Sequence, residues 1–211
     1  AAGNPRIVNM LSVGAPQQVM LEVKVAEVSK SLLDQFGIDF SRAYVPGNPL
    51  DPATLMGSMV DATHCGRVMS YIDKGRAQAR LVLGGNRVTI GTSDNFIEPT
   101  IFADVAPDHT IAREEIFGPV LSVLSFKTEE EAVRIANDTI YGLMASVFTS
   151  NLGRAHRVAG ALKAGTVTVN TVDKISPLVP FGGYRQSGNG RDNSLHAFEK
   201  YTQLKTTWIE Y

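Results

Sequence analysis

The run Pro119-Val120-Leu121-Ser122-Val123-Leu124-Ser125-Phe126 constrains the fold more than any other stretch. In an extended segment, Val120, Val123, Leu124 and Phe126 leave both faces largely apolar, the pattern of a strand covered on both sides. Residues 141–148 repeat it. Strands covered on both faces need helices above and below, which predicts an α/β layer architecture with parallel pairings. The intervening segments supply those helices. Thr128-Glu129-Glu130-Glu131 reads as a capping box, with Thr128 as N-cap and Glu131 reaching back. The helix it opens carries Ala132, Val133, Ile135 and Ala136 inward and ends near Asn137. A further helix starts at Ser150 or Asn151 and ends at Lys163, before Gly165. Residues 166–170 then form a strand.

The same alternation extends in both directions. Asp61 or Thr63 caps a helix bearing Val68, Met69 and Ile72 at three- to four-residue spacing. Leu81-Val82-Leu83 is a short strand ended by Gly84-Gly85, and residues 86–95 form a loop. Residues 96–105 form an edge or bent strand interrupted by Pro99, and 108–115 a surface turn or short helix. Past a glycine-rich loop at 179–192, Ser194 caps a short helix with Leu195, Phe198 and Tyr201. Residues 203–209 close the chain as a β-branched strand.

The N-terminal segment differs in character. Over residues 17–28 the apolar Val19, Leu21, Val23 and Val25 alternate with Gln18, Glu22 and Lys24, the period of a half-buried strand. Ser29 caps one or two helical turns through Leu32, Leu33 and Phe36, and a short strand at 38–40 follows Gly37. Val45-Pro46-Gly47-Asn48-Pro49 is a turn-rich joint. It divides the chain into an N-terminal segment, 1–45, and a larger region, 46–211.

Composition narrows the function classes. The 211 residues carry 20 basic and 21 acidic side chains, so no net field attracts nucleic acid or an anionic membrane. No apolar run reaches the roughly 18–20 residues needed to span a bilayer. No signal peptide is visible, and one cysteine leaves no internal disulfide or cysteine-rich metal site. A cytoplasmic setting is expected.

Among candidate functional residues, Glu114-Glu115-Ile116-Phe117-Gly118-Pro119-Val120 places carboxylates beside an aromatic ring at a Gly-Pro bend. Such a site suits a ligand carrying hydroxyls and a flat ring; alternatively it is a helix end with solvated glutamates. Cys65 sits within a helix beside His64, which points about 100° away around the axis, so the two form no Cys–His pair and the thiol is structural. His109, His156 and His196 have no metal-ligand spacing. Gly188-Asn189-Gly190 lacks the preceding strand and third glycine of a dinucleotide fingerprint. Arg154, Arg157 and Lys163 form a solvated helix face.

Several motifs occur together and in order: Asn48-Pro49-Leu50-Asp51-Pro52, Glu98-Pro99-Thr100, the stretch 114–120, Asn137-Asp138 with Tyr141-Gly142-Leu143, Ala164-Gly165-Thr166-Val167 to Asn170, and Pro180-Phe181-Gly182-Gly183-Tyr184 with Ser187-Gly188 to Gly190-Arg191. From Gly47 to Tyr211 the chain resembles the C-terminal third of the aldehyde dehydrogenase superfamily. Its ending looks most like the bacterial branch acting on aminoaldehydes in polyamine breakdown. Residues 8–40 resemble part of a secretin, a ring-forming outer-membrane channel protein.

The dehydrogenase resemblance implies a partial catalytic domain, mostly parallel sheet with flanking helices, plus a β-strand oligomerisation arm. It implies NAD or NADP as cofactor, with Glu115 accepting hydrogen bonds from the nicotinamide-ribose hydroxyls and Phe117 lying against the nicotinamide. Phe181 falls where the family lines its aldehyde pocket. Strands 166–170 and 203–209 match the arm that pairs subunits, implying a homo-oligomer acting on a small aldehyde. The family's nucleophilic cysteine, general-base glutamate and nucleotide-binding domain lie N-terminal to the matched part. The chain alone is therefore expected to be an inactive fragment of an enzyme that oxidises aldehydes to carboxylic acids. A self-associating structural module is the alternative, and a secretin-related component the more distant one.

Overall fold

The structure is a computed structural model that describes residues 22–26 (as backbone), 56–172 and 174–211. The helix expected from Ser29, the strand at 38–40 and the joint at 45–49 lie outside the described residues.

The chain folds around two hydrophobic clusters. The first is organised by α1 (Ala62–Gln78), whose N-cap Asp61 accepts a hydrogen bond from the amide of His64 at 2.7 Å, as a side-chain carboxylate does at a helix start. Cys65, Val68, Ile72 and Gly75 recur at three- to four-residue spacing and form its buried face. That face packs on a sheet of β2 (Arg80–Leu83), β5 (Thr100–Ala103) and β6 (Val120–Ser122), in the order β2-β5-β6. Phe102 of β5 is fully buried beneath Gly75, where an added Cβ would stand 2.6 Å from the ring. Burial of a phenylalanine this completely contributes about 2–3 kcal/mol. Ile97, Val105, Ile111 and Ile116 complete the cluster.

The glycine pair after β2 turns the chain as the sequence indicates. Gly84 and Gly85 both have positive φ, 69° and 95°, and a Cβ at Gly84 would lie 2.0 Å from the Pro99 carbonyl oxygen. The expected loop 86–95 contains instead most of a hairpin, β3 (Arg87–Ile90) with β4 (Ser93–Ile97), turning at Gly91. Pro99 does not bend one strand; it separates β4 and β5, which belong to different sheets.

The second cluster is built on a sheet with the order β1-β7-β8, all parallel, comprising β1 (Glu22–Ala26), β7 (Met144–Phe148) and β8 (Thr166–Val169). Helices α3 (Glu129–Asn137) and α4 (Leu152–Ala161) cover it, packing Val133, Ala136 and Val158 on Ala145 and Val147. Met144, Ala145, Ser146 and Val147 are all buried, as expected of a central strand. The Ser146 hydroxyl is satisfied by Thr168 on β8, 2.8 Å away. Thr128 caps α3 by accepting from the Glu131 amide at 3.1 Å, but the Glu131 carboxylate reaches the amide of Lys127, one residue before the cap. Asn151 caps α4. Arg157 makes a two-pronged contact with Glu129, both distances 2.9 Å, and its hydrogen bonds hold the Glu129 carboxyl below the usual carboxylate range. The strand expected at 17–28 appears as β1, registered from Glu22 opposite Met144 to Ala26 opposite Phe148.

Three expectations need correction. Among the described residues, parallel pairing is confined to β1–β7, β7–β8 and β5–β6, while β2–β5 and β3–β4 are antiparallel; both antiparallel pairs are reached by connections too short or too direct to need a helical crossover. The strand expected at 119–126 is shorter and covered on one face, with Leu121 and Val123 exposed, because α1 packs on one side only. Residues 203–209 form no strand, and Leu204, Trp208 and Ile209 are largely exposed. A strand needs a neighbour for its ladder, and among the described residues none is supplied.

Candidate functional site

The stretch 114–120 leaves the short helix α2 (Thr110–Arg113) and enters β6. Its amide at Glu114 still bonds to Thr110, and Ile116 is buried in the first cluster, so the loop is anchored from within. Three contacts strap it to α1. The Tyr71 hydroxyl donates to Glu114 Oε2 at 2.8 Å, which raises the Tyr71 pKa because the hydrogen bond favours the protonated phenol. His64 Nε2 lies 2.8 Å from the Phe117 carbonyl oxygen. At Gly118 the backbone presses on Val68, and an added Cβ would stand 2.7 Å from Val68 Cγ1. This close approach gives the physical reason for a glycine in the Gly-Pro bend.

Glu115 and Phe117 come out of this frame two positions apart. Glu115 is half-buried, with its Oε1 shielded from solvent. Phe117 has φ of 53°, and its ring is 58% exposed. A left-handed conformation at a bulky residue is uncommon and accompanies functional loops. The loop thus offers an acceptor-only carboxylate beside an open aromatic face, which fits a ligand with hydroxyls and a flat ring. The alternative of a helix end with solvated glutamates holds for Glu114, which is exposed at the C-cap of α2, but not for the half-buried Glu115.

Phe181 is held elsewhere. It pairs with Asp192 through two backbone hydrogen bonds of 2.8 and 2.7 Å at the neck of the glycine-rich loop. That loop docks on residues 137–142. Tyr184 and Gln186 donate to the carbonyls of Gly142 and Ile140, Ser187 Oγ accepts from the Gly142 amide, and Arg185 binds the carbonyls of Asn137 and Thr139. Gly182 lies directly against Gly165, where a Cβ would fall 1.6 Å from the Gly182 carbonyl oxygen. Phe181 is thus held by a loop docked on residues 137–142, and Glu115 and Phe117 by a loop strapped to α1. Arg113 and Asp138, 2.8 Å apart, form an ion pair between the two. The cavity bounded by Asn137, Thr139, Tyr141, Gly142 and Lys163 has room for about one water molecule and includes none of the three candidate residues.

Cys65 is fully buried between α1 and the sheet. Its thiol cannot meet a substrate, in agreement with a structural role. No cluster of metal-ligating side chains and no helix long and apolar enough to cross a membrane occurs among the described residues. The contact between His64 and Phe117 has no local signature, because 53 positions separate them.

Comparison with known proteins decides the family. The aldehyde dehydrogenase family model matches residues 15–207. The chain belongs to the aldehyde dehydrogenase family. It is 48% identical over 195 residues to the NADP/NAD-dependent aldehyde dehydrogenase PuuC of Escherichia coli, covering 92% of this chain and 38% of PuuC. It is 45% identical over 216 residues to a betaine aldehyde dehydrogenase of Brucella anthropi, covering the whole chain and 44% of that enzyme. Among solved structures it resembles a mutant of the Pseudomonas syringae indole-3-acetaldehyde dehydrogenase AldA in complex with NAD+ and IAA, with a TM-score of 0.80 and 53% identity over 89% of this chain and 39% of that one. The Pseudomonas aeruginosa aldehyde dehydrogenase KauB gives the same TM-score at 52% identity, over 90% of this chain and 39% of that one. The α/β fold is thus that of the family, and the chain spans about two fifths of the length of these relatives. The family match begins at residue 15 rather than Gly47, and so takes in most of the segment likened to a secretin; none of these findings shows a secretin-like segment.

Proposed function

We propose that this chain forms the C-terminal part of the catalytic domain of an NAD(P)-dependent aldehyde dehydrogenase, which oxidises an aldehyde to a carboxylic acid. The loop 114–120 carries the reading, because it presents a carboxylate and an exposed aromatic ring from a frame fixed by α1. Glu115 accepts hydrogen bonds from the nicotinamide-ribose hydroxyls, and Phe117 lies along the nicotinamide. These residues fit the cofactor by chemistry: a vicinal diol needs an acceptor, and a flat heterocycle needs an open aromatic face. Bound there, NAD or NADP supplies the hydride acceptor. Phe181 lines the aldehyde pocket.

The chain alone is inactive, since its one cysteine is sealed in the core. The whole enzyme works in the cytoplasm as a homo-oligomer. Residues 166–170 and 203–209 pair with a second copy, a reading supported by the exposed Leu204, Trp208 and Ile209. Likeness to a gamma-glutamyl-gamma-aminobutyraldehyde dehydrogenase of Burkholderia cenocepacia, at 54% identity, supports an aminoaldehyde substrate.

Two measurements test this reading. The purified chain is expected to form no NAD(P)H from aldehydes, and turnover abolished by Cys65→Ala would overturn its inactivity. At millimolar NAD, ligand-observed NMR is expected to show magnetisation transfer to nicotinamide protons that is lost in Phe117→Ala and reduced in Glu115→Ala. Absence of any transfer in the wild type would remove the cofactor assignment.

A further inference from the structure

We propose that His64 is a positioning residue for the loop 114–120, setting the direction of Glu115 and Phe117 through the carbonyl of Phe117. The inference rests on the cofactor-loop reading above. A carbonyl oxygen only accepts, so the 2.8 Å contact requires the proton on His64 Nε2. Nδ1 is buried and has no hydrogen-bond partner. The hydrogen-bonding capacity of the ring is thus committed to one acceptor on a loop far away in sequence.

That acceptor is also the group whose direction matters. Phe117 holds a left-handed φ of 53°, which a bulky side chain keeps only when its surroundings fix it. The orientation of its carbonyl follows the same backbone torsions, so a donor fixed on a helix selects this conformation over its alternatives. The rings of His64 and Phe117 lie 6.0 Å apart, centroid to centroid, and tilted by 38°. The imidazole therefore also closes the space beside the phenylalanine.

The remaining contacts make the strap specific. Tyr71 holds Glu114 on one side of the pair, and Val68 receives Gly118 on the other. His64, Val68 and Tyr71 follow one another at helical spacing along α1. The direction of the carboxylate and the ring is thereby set by a rigid, capped helix rather than by the loop itself, as an accurate binding site requires.

The full chain provides the test. With histidine labelled by ¹⁵N, and the His64 signals assigned by their loss in His64→Gln, the neutral ring is expected to carry its proton on Nε2. A neutral ring protonated at Nδ1 with Nε2 bare overturns the proposal without any variant having to fold. In hydrogen exchange, His64→Ala is expected to speed exchange across 114–120 about tenfold, the value of one ordinary hydrogen bond, while residues 72–78 of α1 are unchanged. His64→Gln, whose side-chain amide can donate to the same carbonyl, is expected to restore at least half of the lost protection. Unchanged exchange in His64→Ala, or a glutamine variant that behaves like alanine, refutes the role. None of these readouts involves NAD, so failure of the strap and failure of the cofactor assignment are told apart.

Discussion

Replacing Gly165 with alanine puts a methyl group where the carbonyl oxygen of Gly182 already stands, 1.6 Å from an ideal Cβ. Both partners are backbone, so no flexible side chain can swing aside and one segment must retreat by more than about an ångström. Gly165 is the better anchored of the two: its amide bonds to Gly142 and the next residue opens β8, paired with β7. The loop 179–192 therefore yields. Its retreat stretches the bonds from Tyr184 to Gly142 (2.9 Å), Gln186 to Ile140 (3.0 Å) and Gly142 to Ser187 (3.0 Å). Overpacking by one methyl costs about 1–3 kcal/mol, and each hydrogen bond lost adds about 1 kcal/mol. A total near 3 kcal/mol lowers Tm by about 6–12 °C in a chain of this size. Thermal unfolding followed by circular dichroism measures the loss, and limited trypsin digestion shows where it falls, with faster cleavage after Arg185 and Arg191. A variant that melts within about 2 °C of the wild type and resists trypsin equally would refute the claim that this glycine contact seats the Phe181 loop.

Two further substitutions probe the frame. Gly160 lies inside α4 with no atom within 4 Å of an added Cβ, so Gly160→Ala is expected to raise stability by about 0.5–1 kcal/mol; a lower Tm would contradict the packing described. Tyr71 has its pKa raised in the fold by its hydrogen bond to Glu114, so its stabilising effect is complete below the ordinary phenol value near pH 10 and is lost as pH climbs through the folded value. Tyr71→Phe is expected to flatten the fall in stability above pH 10, followed by denaturant titration at pH 8 and pH 10.5. An unchanged alkaline slope would show that the strap to Glu114 does not form.

What the sequence made legible is what neighbours along the chain determine. Asp61, Thr128 and Asn151 announce helix starts because a cap acts within three residues. The four buried residues that open β7 follow from a run long enough to be a strand and apolar on both faces. The hairpin β3–β4 was hidden because its strands are short and polar, though Gly91 between Ile90 and Ser93 was a usable turn signal. The candidate site was legible only in part. Glu115 and Phe117 stand two positions apart on one loop, whereas His64, Val68 and Tyr71 act on that loop from another element. Nothing local to either stretch encodes the pairing.

The mismatch at β6 follows from the same distinction. The apolar pattern of 119–126 called for cover on both faces, yet only the side facing α1 has it. Register places Leu83, Ile101 and Leu121 side by side across β2, β5 and β6. Leu83 and Leu121 remain 38% and 44% exposed. A row of this kind on the open face of a sheet is apolar area that a further layer would remove from water, at about 25 cal/mol for each Å² covered. The sequence pattern therefore records a two-sided environment, while the described residues supply one side. The loop 114–120 is set differently: its hold comes from α1, on the covered side. Its shape depends on His64, Val68 and Tyr71, and on nothing that would pack against Leu121.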